Sequence, residues 1–132
     1  MVRPKPRRNT KAQNPLRVSD NFQRFVLDQL EELGGVEPRP MFGGVGLYHH
    51  GIFFGIVAGD VVYLKVDDAT REAYVRAGTG PFMPYPGRGG TLQYYAVPVD
   101  VLESAVELAE WATRAVAVAA HGAASPKKRS RE

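Results

Sequence analysis

Tight turns at short intervals are the feature of this sequence that most limits its fold. The stretch from Val45 to Val66 is rich in β-branched and aromatic residues, and two turn signals, His49-His50-Gly51 and Gly59-Asp60, interrupt it. Strands joined by connections this short pair in the antiparallel orientation, because parallel strands need a much longer crossover. The spacing therefore predicts an antiparallel meander with strands over 45–48, 52–58 and 61–66.

Apolar residues at helical spacing predict one helix before the meander and one after it. The first begins at a capping box of Asp20 and Gln23 and ends at the glycine pair 34–35. The second begins at a capping box of Asp100 and Glu103 and continues to about residue 120. Its predicted inner face consists of Leu102, Ala105, Val106, Ala109, Ala112 and Val116, widened by Leu108, Trp111, Ala115 and Val118.

Four shorter segments complete the predicted order: an extended linker, a short helix, a long loop and a fourth strand, over 36–40, 69–77, 78–90 and 91–97. Asp67 or Asp68 caps the short helix. An ion pair between Glu110 and Arg114, one turn apart, is expected on the outer face of the last helix. The predicted fold class is α+β: an antiparallel meander of about four strands packed against an N-terminal helix and a long C-terminal helix, with the short helix between strands three and four.

Charge divides the chain into three parts. Residues 18–122 hold seven basic and thirteen acidic side chains, and they form the predicted folded domain. Residues 1–17 and 123–132 are basic and contain few apolar residues, so we expect disordered tails there. Non-specific contact with nucleic-acid phosphates and simple solubility are the two alternatives for their basic side chains, which are Arg3, Lys5, Arg7, Arg8, Lys11, Arg17, Lys127, Lys128, Arg129 and Arg131.

Composition excludes several classes of protein. The sequence has no cysteine, which removes disulfides, thiolate metal sites and cysteine nucleophiles. No apolar stretch is long enough to cross a bilayer, and no apolar run follows the basic N-terminus as in a secretory signal, so we expect a cytoplasmic protein. His49 and His50 are adjacent and point to opposite sides, which favours solvated side chains over a metal site. We expect neither a metal nor a cofactor.

Five short blocks occur in an order that is typical of one family: Arg39-Pro-Met-Phe-Gly-Gly44, Gly46-Leu-Tyr48, Val62-Tyr-Leu-Lys-Val66, Pro81-Phe82, and Tyr94-Tyr95 followed by Pro98. Residues from about 20 to 120 thereby resemble the N-terminal domain of the TfoX/Sxy family. The resemblance implies a mixed α/β fold with an antiparallel sheet. It also implies a bacterial regulator of competence for DNA uptake that acts through a protein partner of the transcription machinery, with no established enzymatic activity.

The end of the chain departs from this family pattern. Full-length members carry a second, helical domain, whereas residues 123–132 form a basic tail. The resemblance is therefore to a stand-alone N-terminal domain, and the regulatory role is an expectation.

The same blocks contain the candidate site residues. In one interpretation Arg39 belongs to a recognition loop and pairs with a phosphate or carboxylate. In the other, Met41 and Phe42 enter the core and the glycines allow a sharp turn. The residues to which a structural role and a recognition role both apply are Arg39, Met41, Phe42, Gly43, Gly44, Lys65, Tyr94 and Tyr95.

Aromatic residues cluster on the predicted strands, at Tyr48, Phe53, Phe54, Tyr63, Tyr94 and Tyr95. Exposed rings on a sheet can stack single-stranded bases, but alternation predicts that about half of them are core, and the acidic domain opposes phosphate binding. The favoured hypothesis is a non-enzymatic regulatory or adaptor domain that binds a protein partner. The alternative is a small-ligand binder or unrecognised enzyme with Arg39, Arg88 and tyrosines around a pocket near the 78–90 loop.

Overall fold

The computed structural model describes residues 16–84 and 91–124, so residues 1–15 and 125–132 of the predicted tails, and the 85–90 part of the loop with Arg88, lie outside the described residues. Within these ranges six strands form one antiparallel sheet. No described helix is long and apolar enough to cross a membrane. The elements in chain order are α1 (Asp20–Gln29), β1 (Val36–Met41), β2 (Gly44–His49), β3 (Ile52–Ala58), β4 (Val61–Lys65), α2 (Asp68–Arg76), β5 (Pro81–Phe82), β6 (Thr91–Ala96), α3 (Val99–Leu102) and α4 (Ala105–Ala124).

The sheet has the strand order β1-β2-β3-β4-β6-β5. β2, β3 and β4 correspond to the three predicted strands of the meander, and β1 adds a fourth strand before them, the four being joined by three two-residue turns. β6 returns beside β4, and β5 pairs with the outer edge of β6. The register shifts between Leu47 and Tyr48, where Phe54 is the extra residue of a bulge in β3.

The helices lie on one face of the sheet and enclose the core. Val62 and Leu64 point to this face from β4, as alternation predicts, and both are fully buried. α4 packs across β3 and β4 with Leu108, Ala112, Ala115 and Ala119 on its inner side. The opposite face of the sheet, called the open face below, carries half-buried rings and two cations.

The α+β fold class is confirmed, but four strands were predicted and the described residues contain six. The segment 36–40, predicted to be a linker, belongs to the edge strand β1. Pro38 and Pro40 lack the backbone N–H group. They are compatible with an edge strand because their positions there do not need that group for a hydrogen bond to the neighbouring strand. Pro81–Phe82, inside the predicted loop, is the second added strand, so α2 lies between β4 and β5.

Of the N-caps of α1 and α2, the predicted cap of α2 is correct and that of α1 is wrong. Asp67 caps α2 as predicted, with its partner Thr70 in a capping box. Asp20 does not cap α1: the Ser19 hydroxyl accepts a hydrogen bond from the Phe22 N–H, while the Ser19 N–H donates to Asp60. Because Ser19 is one residue earlier and already tied to the sheet, it provides the better cap.

The predicted long helix from Asp100 is in fact two helices. α3 ends at Leu102, and α4 begins after Ser104, whose hydroxyl accepts from the Glu107 N–H. Val106, predicted to be inside, is 57% exposed, whereas Leu108 and Ala115, also predicted to be inside, are buried. The predicted ion pair between Glu110 and Arg114 is not formed.

Candidate functional site

Three rings from different strands form a row across the open face. The ring centres of Tyr48 and Phe53 are 5.1 Å apart, and those of Phe53 and Tyr94 are 5.7 Å apart. These three residues are called the aromatic row. Each is half-buried, and the planes of successive rings are tilted by 30° and 40°. The distances are those of aromatic pairs that contribute more than their buried area alone.

A glycine on β2 makes room for the row. A Cβ atom built at Gly46 would lie 3.2 Å from a ring carbon of Phe53 and 3.2 Å from one of Tyr48. Such contacts are tighter than ordinary van der Waals packing, so any larger residue would push the rings apart. The glycine of the Gly46-Leu-Tyr48 block therefore has a steric role beneath the rings.

A cation lies at each end of the aromatic row. The guanidinium carbon of Arg39 is 4.2 Å from the centre of the Tyr48 ring, and the Lys65 Nζ is 5.0 Å from the centre of the Tyr94 ring. Both distances are within the range of cation–π attraction. Lys65 also donates a hydrogen bond of 2.8 Å to the side-chain oxygen of Gln93. The strand order thus brings together a recognition candidate from β1 and two from β4 and β6.

Burial perturbs the ionisable groups near the row. Desolvation by burial and, to a smaller extent, the neighbouring Tyr48 raise the pKa of Tyr94 to about 12. Burial also raises the pKa of Tyr63, whose ring centre is 4.9 Å from that of Phe82 on the same face. Burial lowers the pKa of Lys65. Although the open face carries no helix, these polar groups are already partly withdrawn from water.

Phe42 occupies a backbone position that does not suit it. All three hairpin turns of the meander have positive φ at both central residues, and the first of these pairs is Phe42-Gly43, with φ 53° and 88°. His50 and Asp60, in the other two turns, belong to types that tolerate this conformation. Phe42 is a bulky residue in the left-handed region and is 73% exposed. The interpretation that Phe42 enters the core is therefore wrong.

The acidic residues lie mostly on the helices. Of the thirteen within residues 18–122, eleven belong to helices or to the residues that flank them. The exceptions are Glu37, whose carboxylate is 3.5 Å from the Arg39 guanidinium, and Asp60 in a turn. The negative charge of the domain is thus concentrated away from the open face, which weakens the predicted objection to an anionic partner there.

The structure separates the two tyrosines of the Tyr94-Tyr95 block. Tyr94 belongs to the aromatic row, whereas Tyr95 is buried on the helical side, where its ring centre is 6.2 Å from that of Tyr74. Phe54 is likewise buried, and the other rings of the predicted cluster are half-exposed. The alternation rule anticipated this division.

Arg39 and the described part of the 78–90 loop each line a cavity. Arg39 lines a shallow cavity of about 170 Å³ beside Pro38 and Val45, and a second cavity of the same size lies against Phe82 and Met83. The predicted pocket near the loop also includes Arg88, which lies outside the described residues, so that pocket stays a prediction. The His49 Nδ1 is 2.9 Å from the Gly34 carbonyl oxygen, and residues 16–84 and 91–124 hold no cluster of three or more metal-ligating side chains.

Sequence reasoning missed two features of the described residues. The exposure of Phe42 was not anticipated, although a Phe-Gly pair between two strand segments is a signal for a two-residue turn that places its first residue at positive φ. The second feature is a cavity between α2 and α4 lined by Tyr74 and Trp111. No local pattern indicates it, because its walls come from residues about forty positions apart.

Comparison with protein-family models gives a match over most of the chain. A family model described as the TfoX N-terminal domain matches residues 28–119, from within α1 to within α4. The matched range includes the aromatic row, both cations and Phe42. No curated protein matches the chain.

Proposed function

The chain belongs to the TfoX N-terminal domain family, and from this membership we propose that it is a non-enzymatic regulatory domain that acts by binding a protein partner. The competence regulation associated with the family suggests a partner in the transcription machinery. A binding role is favoured over catalysis because the site consists of rings and two cations. Within the described residues it contains no nucleophile hydrogen-bonded to a base.

The exposed, strained Phe42 is the observation that carries this proposal. A left-handed conformation costs a side-chain-bearing residue about 1–2 kcal/mol, and asparagine would adopt the same turn more readily. Backbone strain at an exposed apolar residue supports a functional reason for retaining it. Large aromatic side chains are also the residues most enriched among the energetic centres of protein interfaces.

The edges of the sheet favour docking on its surface rather than strand addition. β1 is one edge, and its two prolines remove N–H groups that a partner strand would need. β5, the other edge, has only two residues. We therefore place the partner at the β1–β2 turn and on the adjoining open face, where Arg39 and Met41 extend the contact surface from Phe42.

Site-specific photocrosslinking tests this assignment. A benzoylphenylalanine placed at position 42 of the full chain should crosslink one partner in cell extract, and an excess of unlabelled wild-type chain should prevent it. The matched control places the same group at Val106, which is 57% exposed on α4. Competition by a Phe42→Asn chain should fail. Equal crosslinking at both positions, or equal competition by the variant, would contradict the proposal.

A contribution of the basic tails to nucleic-acid binding is part of the same proposal. Neutralising Arg3, Arg7 and Arg8 to glutamine in the full chain removes three candidate phosphate contacts. Each lost contact should reduce the log–log salt slope of duplex binding by about 0.9. Fluorescence anisotropy at several salt concentrations measures this slope, and an unchanged slope would assign the basic side chains to solubility. Tighter binding to single strands, lost on Tyr94→Leu, would instead assign the aromatic row to base stacking.

A further inference from the structure

A cavity on the helical side of the sheet has no part in the proposed function. It has a volume of about 250 Å³ and lies between α2 and α4, and neither Phe42 nor a ring of the aromatic row lines it. Trp111 and Tyr74 form its aromatic wall, with their ring centres 4.7 Å apart in an edge-to-face arrangement. The remaining lining residues are Lys65, Ala69, Thr70, Ala73, Arg114 and Ala115.

The Tyr74 hydroxyl is a polar group without a partner in this wall. Tyr74 is only 4% exposed, and its backbone carbonyl accepts hydrogen bonds from Thr79. Within residues 16–84 and 91–124, however, its hydroxyl makes no hydrogen bond. Buried polar groups nearly always have a hydrogen-bond partner in folded proteins. A hydroxyl without one beside a cavity therefore indicates an occupant of the cavity that accepts a hydrogen bond from it.

Positive charge lies at the same cavity. Arg114 is exposed, lines the cavity and forms no ion pair among the described residues, although Glu110 lies one turn before it. Its charge acts on the Tyr74 hydroxyl: burial raises the pKa of Tyr74, and the nearby Arg114 opposes that rise. Lys65 also lines the cavity, but its Nζ donates to Gln93 and lies over the Tyr94 ring on the open face, so Arg114 is the cation available to an occupant. An occupant that carries negative charge would therefore be favoured over a neutral one.

The size and lining of the cavity limit the size of the occupant and the chemistry of its uncharged part. A volume of about 250 Å³ is below the roughly 300–1,000 Å³ of sites for drug-sized ligands, so the occupant is small. Besides the two rings, three alanines line the cavity, so much of its wall is apolar. An aromatic ring fits such a space better than a sugar or a polyamine does.

We propose that the cavity between α2 and α4 binds a small aromatic carboxylate. The carboxylate accepts the Tyr74 O–H hydrogen bond and pairs with Arg114, and the ring packs against Trp111 and the alanines. This inference is independent of the protein partner at Phe42, because the cavity and the β1–β2 turn share no residue.

The single tryptophan of the chain makes the proposal directly testable. Phenylacetate is titrated into the full-length protein up to roughly 10 mM, and Trp111 emission is recorded. A saturable change is expected with phenylacetate. Acetate, which has the charge without the ring, and 2-phenylethanol, which has the ring without the charge, should give no saturation in the same range.

Two variants assign the binding to the cavity. Tyr74→Phe removes only the orphan hydroxyl and should weaken phenylacetate binding about tenfold while the thermal midpoint of the free protein rises. Arg114→Gln should weaken binding to a similar extent. Arg76→Gln is the matched control, because Arg76 is an exposed arginine on α2 that does not line the cavity. No saturable change, or full affinity in both variants, would overturn the proposal and leave a water-filled cavity.

Discussion

The guanidinium of Arg39 lies over the ring of Tyr48, 4.2 Å from its centre, while the same guanidinium is 3.5 Å from the Glu37 carboxylate. The two contacts respond differently to solvent. The ion pair is exposed, with 51% and 62% of the two side chains accessible, so it contributes little and salt screens it. The cation–π contact draws on the ring quadrupole at short range, and it fixes Arg39 at the end of the aromatic row.

A double-mutant cycle of Arg39→Gln and Tyr48→Leu should therefore give a coupling of about 0.5–1 kcal/mol in the free energy of unfolding. The coupling should persist at high salt, because the attraction acts between groups in contact. The parallel cycle of Arg39→Gln with Glu37→Gln should give a smaller coupling that vanishes at about 1 M salt. Urea denaturation at two salt concentrations measures both. A salt-sensitive coupling with Tyr48 would contradict this assignment.

Phe42→Asn should stabilise the folded domain by about 1 kcal/mol, because asparagine adopts the left-handed turn conformation that strains phenylalanine. The loss of the ring costs the fold little, since Phe42 is 73% exposed. The expected combination is a higher unfolding midpoint with lost partner crosslinking. Asp60→Asn is the matched control, because Asp60 occupies the equivalent turn at φ 61° and already suits it. A lower unfolding midpoint for Phe42→Asn would contradict this prediction and indicate a structural role for Phe42.

The parts of the fold that follow local rules could be predicted from the sequence. Val62 and Leu64 alternate on β4, and the turn at Gly59-Asp60 is set by its residue types, so both are found as expected. Asp67 needs only a partner three residues away, and it caps α2. In each case the determining interaction lies within a few residues along the chain.

Features that depend on distant partners could not be predicted in the same way. β1 contains Pro38 and Pro40, and only its position at the sheet edge makes a strand possible there. The aromatic row depends on β6 returning beside β4, which no local pattern specifies. The motif Arg39 to Gly44 was recognised as a candidate, but its exposure depends on the turn geometry that places Phe42 outside.

The break between α3 and α4 predicts that Ser104 is a more important cap than Asp100. The Ser104 hydroxyl accepts from the Glu107 N–H at 3.2 Å, whereas α3 has no side-chain cap. Ser104→Ala should lower the free energy of unfolding by about 1 kcal/mol. Asp100→Ala should change it by less than about 0.5 kcal/mol, as for most exposed positions. Chemical denaturation measures the free energy of unfolding of both variants. Equal decreases would contradict this prediction and support a single helix capped by Asp100.

The half-buried Tyr94, whose pKa is raised, predicts a specific loss of stability at high pH. Burial, together with Tyr48, raises the pKa of Tyr94 from 10 to about 12 in the folded state. Below pH 10 the ring is neutral in both states, so its full contribution is present. Between pH 10 and about 12 the unfolded chain ionises first, and stability falls by about 1.4 kcal/mol for each unit of the pKa difference.

Comparison of wild type with Tyr94→Phe isolates this term, because phenylalanine does not titrate. The difference in free energy of unfolding between the two proteins should be constant up to about pH 10 and should then shift against the wild type as pH rises. Tyr63, whose pKa burial also raises, and Lys65, whose pKa burial lowers, remain in both proteins and cancel in the difference. Urea unfolding at several pH values from 8 upward provides the measurement. Parallel curves would show that Tyr94 is as solvated in the folded state as in the unfolded chain, and that the aromatic row is open to water.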